Sequence, residues 1–374
     1  GPEGASHKLD LSPFSGREGL RLRKLTDGPF DDIEPTYLPD GDILFCSSRA
    51  NRWVPCWSTI VANLHRCGGD GQDIRMISSN IEQENTPCVL PDGRVLYTRW
   101  EYVDRSQVDF HHLWTFNPDG TGQMIYYGNM HPGTVMIDAW PVPGTKKVVA
   151  SFSPGHGRRE HNGRITLVDP TAGPDRRGFA RPVSHSADFR DPFPLSEDCF
   201  LVARGPSLLL MNGRGMTLPV YTLPESDRRA GLEVHEPRPI RPRARQRLIP
   251  PRIDPERPTG RLVLADVTYG RNMAGVRRGE IKKLLVLESL AKPVNFNMPG
   301  HPTFQISHME PLSIGGTFCL ARVLCTVPVE PDGSAQFDVP AMRSLFFVAL
   351  DENDLSVKRM QSFVTVQPGE TTGC

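Results

Sequence analysis

No stretch of this chain approaches the ~20 consecutive apolar residues that span a bilayer, so a transmembrane helix is excluded. Net charge is also missing: 43 basic residues face 43 acidic ones, for a formal charge of zero. A neutral chain has no global electrostatic pull toward nucleic acid or an anionic membrane. The eight cysteines contain no Cys-x-x-Cys pair, which excludes a zinc ribbon. There is no serine nucleophile elbow, no phosphate loop and no spaced carboxylate pair. No secretory signal is visible; in a chain that does not begin with methionine, this excludes nothing.

What the chain has in quantity is turn formers, with 34 glycines and 36 prolines among 374 residues. With 38% hydrophobic residues the composition is not that of a disordered chain. It fits many short strands joined by tight turns, over a length that points to two domains. Cys46, Cys56, Cys67 and Cys88 crowd one stretch and are compatible either with disulfides or with buried thiols.

Two kinds of turn alternate. The first begins at Pro35 and runs through Pro39-Asp40-Gly41 into an apolar strand; it returns from Pro87 through Pro91-Asp92-Gly93. Weaker copies start at Ala139, Pro192 and Pro237, so successive starts lie 52, 52, 53 and 45 residues apart. The second kind follows a further strand: Ile60–Leu64 before Asp70-Gly71, Leu113–Phe116 before Asp119-Gly120, Ile165–Val168 before Asp169, Leu208–Met211 before Asn212-Gly213, and Leu262–Ala265 before Asp266. Asp-Gly and Asn-Gly accept the positive φ of tight hairpins. A period near 50 with about four strands per unit is the pattern of propeller blades, each of which buries its faces only against its neighbours. Five blades are visible, and the pattern leaves room for a sixth in a degenerate stretch or upstream. Leu20–Leu25 reads as an outer strand that would close the ring on a last blade at 237–267.

The segment from Pro237 to Arg261 holds eight arginines, but prolines interrupt it and no aromatic residue interleaves for base stacking. It reads as a Pro-stiffened blade edge or interdomain linker. Beyond about residue 275 the pattern changes to strands at Glu280–Glu288, Gly315–Leu320, Val323–Val327, Ala335–Val339 and Leu345–Leu350. With no helical period, this is a small antiparallel β-sandwich. The fold class is therefore all-β: a TolB/WD40-like β-propeller at 19–270 after a tail at 1–18, then a sandwich at 271–374.

Several strings are distinctive in their order: Phe30-Asp-Asp-Ile-Glu-Pro-Thr-Tyr-Leu-Pro-Asp-Gly41, Leu96-Tyr-Thr-Arg-Trp-Glu-Tyr-Val-Asp104, Leu113-Trp-Thr-Phe-Asn-Pro-Asp-Gly-Thr-Gly122, Thr326-Val-Pro-Val-Glu-Pro-Asp-Gly-Ser-Ala335, Val357-Lys-Arg-Met-Gln-Ser-Phe363 and Pro368-Gly-Glu-Thr-Thr-Gly-Cys374. From about residue 20 onward the chain resembles proteins related to the hydrazine synthase alpha subunit. The resemblance implies a propeller, a middle domain, and then haem c bound at Cys-x-x-Cys-His. It implies export, because c-type haem is attached outside the cytoplasm, and it implies partner subunits of a redox complex. Cys374 matches the first haem-bonding cysteine; the second cysteine and the histidine are not in this sequence, so this chain alone is expected to hold no covalent haem and to be inactive. If an enzyme, the resemblance makes it a haem-dependent oxidoreductase. The alternative is a non-enzymatic propeller scaffold or binding protein of the periplasm or cell surface.

For a divalent metal the candidates are His156 and His161, five apart in a Gly-rich loop with Glu160 between them. Cys46 is a further candidate ligand near the domain junction. His111-His112 beside Trp114 reads as a partly exposed blade edge, and Trp100-Glu101-Tyr102-Asp104 as a hydrogen-bonded blade corner.

Overall fold

The computed structural model describes residues 23–373, apart from 56–58, 104, 107, 156–161 and 293–318. Up to residue 222 the described chain is a run of four blades. Blade 1 consists of β1 (Asp32–Tyr37), β2 (Ile43–Ser47), β3 (Asn63–Cys67) and β4 (Arg75–Met76). Blade 2 consists of β5 (Glu84–Val89), β6 (Val95–Trp100), β7 (Phe110–Phe116) and β8 (Met124–Tyr127). Blade 3 consists of β9 (Thr134–Pro141), β10 (Val148–Ser153), β11 (Arg164–Val168) and β12 (Ala180–Pro182), and blade 4 of β13 (Arg190–Ser196), β14 (Cys199–Arg204), β15 (Ser207–Asn212) and β16 (Thr217–Thr222). Within each blade consecutive strands pair antiparallel, and a short parallel contact of β7 with β9 ties blade 2 to blade 3.

The turns do what their residues allow. Leu38 N–H donates to Asp42 O across Asp40-Gly41, and Leu90 N–H donates to Arg94 O across Asp92-Gly93. β2 and β6 are buried along their whole length. Both faces of a blade are covered, which is why these strands read as continuous apolar runs rather than alternating ones. Three cores fill the gaps between blades: Leu44 and Leu64 against Tyr97 and Phe116, Leu96 and Leu113 against Met136 and Val148, and Val149 and Ile165 against Phe200 and Val202. The inner strands β1, β5, β9 and β13 stand side by side around one axis.

After the short helix α1 (Glu225–Arg229), residues 231–258 run without regular structure. They cross the blade turns: Arg245 Nε donates to Pro39 O at 2.6 Å, Arg247 N–H to Pro91 O at 3.3 Å, and Arg252 N–H to Asp119 Oδ2 at 2.5 Å. The Arg/Pro segment is thus an interdomain linker laid over the hairpins of blades 1 and 2.

The second unit pairs two sheets. One is β20-β17-β23, from β17 (Thr259–Leu264), β20 (Ala335–Pro340) and β23 (Thr371–Gly373); the other is β19-β18-β21-β22, from β18 (Lys283–Leu290), β19 (Leu320–Pro328), β21 (Leu345–Leu350) and β22 (Ser356–Arg359). Leu262, Val286, Val327, Val339, Phe347 and Val366 fill the space between them, as in a sandwich. Two details differ from the sequence reading. The β17–β23 contact is parallel, and Leu262–Leu264 pair with Phe337 and Ala335 of β20 rather than within a fifth blade. The second unit therefore begins at about residue 259, ahead of the boundary drawn at 271. Alternation along 259–264 announces a strand but carries no information about which sheet it joins. Gly315–Cys319 falls almost wholly outside the described residues.

Candidate functional site

Each inner strand carries a bulge at the same place, and the bulged residue takes a left-handed backbone: Glu34 (φ 54°), Thr86 (φ 50°), Asp138 (φ 56°) and Asp191 (φ 52°). Glu236 (φ 45°) repeats the feature after blade 4, although no strand forms there. A bulge frees a backbone N–H from the ladder. Here the side chain of the preceding unit takes it up. Thr86 N–H donates to Glu34 Oε2 at 2.5 Å, Asp138 N–H to Thr86 Oγ1 at 3.2 Å, and Glu236 N–H to Asp191 Oδ2 at 2.9 Å. Residues 233–238 thus occupy the inner-strand place of a fifth unit.

The bulges gather the carboxyl groups of Glu34, Asp138, Asp191 and Glu236 near the axis. Burial, then the neighbouring Asp191 and Glu34 carboxyls, push Asp138 well above the usual carboxylate range, and its Oδ2 has no hydrogen-bond partner. The opposing cation is Arg238, 4.4 Å over the Trp140 ring. None of these acids was singled out from the sequence. The available signal was position: each is the residue just before a repeat start, at 35, 139, 192 or 237.

A second constellation joins blade 2 to the sandwich. Arg99 lies between two rings, 3.9 Å over Trp114 and 3.6 Å over Phe363. It pairs with Glu101 at 2.7 Å and donates to Phe363 O at 2.6 Å. Glu101 also receives Arg105 at 2.8 Å and Ser362 Oγ at 2.7 Å. Gln367 Nε2 donates to Ile77 O at 3.0 Å, and Gly122 N–H donates to Glu370 Oε1 at 2.7 Å. Beside this clamp opens a cavity of about 590 Å³, walled by Leu262, Leu264, Leu284, Phe337 and Phe347 and edged by Arg105, Lys358 and Arg359.

Of the residues read from the sequence, His156, His161 and Cys374 lie outside the described residues. Cys46 is buried on the axial side of blade 1, where its thiol donates to Glu84 O at 3.1 Å and stands 3.4 Å from Glu34 Oε2. Burial and the two glutamates raise its pKa well above the ordinary thiol value, so it stays protonated there. Among the described residues no group of three His, Cys, Asp or Glu side chains is placed to hold a metal ion. Cys46, Cys67 and Cys88 are buried thiols, not disulfides. His111 and His112 are buried, not partly exposed as the sequence suggested: His111 stacks on Trp100 at 4.4 Å, and His112 Nε2 hydrogen-bonds His131 O at 2.9 Å. Burial drives His112 down to about 3. In the corner Trp100-Glu101-Tyr102, Trp100 N–H donates to Gln83 O and Glu101 N–H to Phe110 O; its fourth member, Asp104, lies outside the described residues.

Residues 279–374 match the family described as hydrazine synthase alpha subunit middle domain. Among solved structures the chain is similar to the hydrazine synthase of Kuenenia stuttgartiensis, with TM-score 0.70, 18% identity, and 95% of this chain covering 58% of that one. Weaker likenesses are to a putative TolB from Agrobacterium tumefaciens (TM-score 0.37, 14% identity, 51% of this chain and 65% of that one) and a gluconolactonase from Xanthomonas campestris (TM-score 0.37, 16% identity, 52% and 62%). No curated protein matches by sequence. Among the described residues no helix is long and apolar enough to cross a membrane.

Proposed function

The chain is related to the hydrazine synthase alpha subunit, and we propose that it is the propeller and middle-domain part of an exported c-type cytochrome acting in redox or electron transfer. One observation carries this reading. The parallel pairing of β23 on β17 sets Gly373 opposite Val263, between Leu262 and Leu264, both of which line the 590 Å³ cavity. On this reading, the strand that runs toward Cys374 lies along the rim of an apolar chamber.

The chamber suits a haem. Its volume falls within the range of about 300–1,000 Å³ usual for cofactor sites. Leu284, Phe337 and Phe347 offer apolar walls for a porphyrin face, and Lys358 and Arg359 offer positive charge to propionates. A haem bound there would supply one-electron chemistry at iron. The protein's own contribution would be to exclude water, lower the local dielectric and hold the cofactor edge in one orientation. The Arg99–Glu101–Ser362 clamp fixes the segment leading to Met360, a wall residue, against blade 2.

The test is a chain extended through a Cys-x-x-Cys-His motif completed from Cys374 and matured with a c-haem assembly system. Covalent haem absorbance is expected, with its spectrum altered by Phe337→Asp. A folded extended chain without covalent haem overturns the reading; so does one whose spectrum ignores the cavity substitution.

A further inference from the structure

The 590 Å³ cavity is lined by charge of one sign. Arg105, Arg271, Lys358 and Arg359 stand on its lining, and among the described residues no aspartate or glutamate does. Arg271 is answered from outside the lining by Asp175 at 2.5 Å. Lys358 makes no ion pair among the described residues. Arg105 is the cation most withdrawn from water, its side chain only 5% exposed. It shares Glu101 with Arg99, so two guanidiniums face one carboxylate in a place nearly closed to solvent. All of its hydrogen bonds leave from Nη1, to Glu101 Oε2 at 2.8 Å and to Asn129 O and Oδ1 at 3.2 and 2.5 Å. Its Nε is buried and has no partner. The edge formed by Nε and Nη2 is therefore unused, and such an edge grips a carboxylate through two parallel N–H bonds. A buried guanidinium with an idle donor edge, sharing its only carboxylate, favours an added anion.

We infer that the cavity binds the carboxylate of an amphipathic molecule. Arg105 takes the head group on its Nε–Nη2 edge, and Lys358 adds positive charge at the rim. The apolar walls, Leu284 and Phe347 among them, take the body of the ligand. The lining selects against the simpler alternatives. A metal ion or an organic cation meets four like charges. A small inorganic anion leaves the apolar walls wet, and an uncharged apolar molecule leaves the Arg105 edge without an acceptor. The inference does not depend on the haem reading: a free apolar acid and a haem propionate present the same carboxylate.

Calorimetric titration of the 374-residue chain with decanoate tests this, with 1-decanol as the uncharged match. Saturable binding of one decanoate is expected, about ten-fold or more tighter than decanol and weakening as salt is added. Arg105→Gln leaves Glu101 its bonds to Arg99 and Ser362. It should weaken decanoate by roughly 10- to 100-fold, the scale of hydrogen bonds to a charged group, and leave decanol unchanged. Lys358→Gln, at the rim, should weaken it by only about 2- to 3-fold. If Arg105→Gln does not fold, the comparison of decanoate with decanol on the unaltered chain still decides. Haemin separates the two sources. Haemin that displaces decanoate and loses affinity with Arg105→Gln assigns the carboxylate to a porphyrin; decanoate that haemin does not displace assigns it to a separate apolar acid, and either result upholds the site. A chain that binds neither overturns the inference. So does decanol binding as tight as decanoate, or a folded Arg105→Gln chain with unchanged decanoate affinity. Each of these can occur whether or not the extended chain takes up covalent haem, so the two readings fail separately.

Discussion

Glu82 is fully buried, and neither of its carboxyl oxygens has a hydrogen-bond partner. Burial raises it well above its ordinary 4.5, with only the charge of Lys292 opposing. A carboxyl group that holds its proton when folded but loses it when unfolded lowers stability as pH rises from about 4.5 toward the folded value. His112 acts with the opposite sign. Its folded pKa of about 3, against 6.5, means that stability is complete above 6.5 and is lost as pH falls toward 3. Glu82→Gln should therefore stabilise the chain by roughly 1–3 kcal/mol at pH 7 and change little at pH 4. Denaturant melts of the two proteins across that range check it; equal destabilisation at both pH values would remove the buried-acid account. The sequence offered His112 only as part of a blade edge and did not single out Glu82. Glu82 stands in an ordinary polar stretch, and only the packing of blades 1 and 2 with the sandwich takes water from it.

At the scale of elements, hairpins and strands were the most legible part. The Asp-Gly turns at 40–41 and 92–93 and the strands after them lie where their residues place them, because turn chemistry and buried apolar runs are local properties. The same local turn does not carry the same load in every blade. At Gly93 (φ +92°) a Cβ would stand 2.1 Å from Arg247 O of the linker, whereas at Gly144 (φ +73°) nothing lies within 4 Å. Gly144→Ala should cost about 1 kcal/mol, the backbone penalty alone. Gly93→Ala should cost about 2–3 kcal/mol and expose the linker near Arg247 to proteolysis. Equal costs in thermal melts, with no new cleavage, would show that the linker does not rest on this turn. The axial bulges were only half legible. The repeat marked their position, but the use of Glu34, Thr86 and Asp191 to cap the next unit's N–H depends on inner strands that meet only in the folded arrangement.

For the whole molecule, the junction of propeller and sandwich is built from charges with almost no access to solvent. Arg99 and Glu101 are both 1% exposed. Removing one member of such a pair costs about 3–5 kcal/mol, because the other is left buried without compensation. Arg99→Ala should lower stability by that amount. It should also split a single calorimetric transition into two, as the sandwich loses its hold on blade 2 through Phe363 and Ser362. A single transition with a shift below about 1 kcal/mol would mean that the two units are held elsewhere, by contacts such as Gln367 with Ile77.

The chain's own residues determined that it would be built of strands, where the hairpins fall, that units recur at a period near 50, and that a different β unit follows, because each of these depends on neighbours within a few residues. Tertiary structure alone decided which sheet claimed Thr259–Leu264, which acids converge on the axis, and where Glu82 and Arg99 lose their water. Those outcomes depend on pairings between residues far apart in the chain, and strand alternation, being the same for every possible partner, does not encode them.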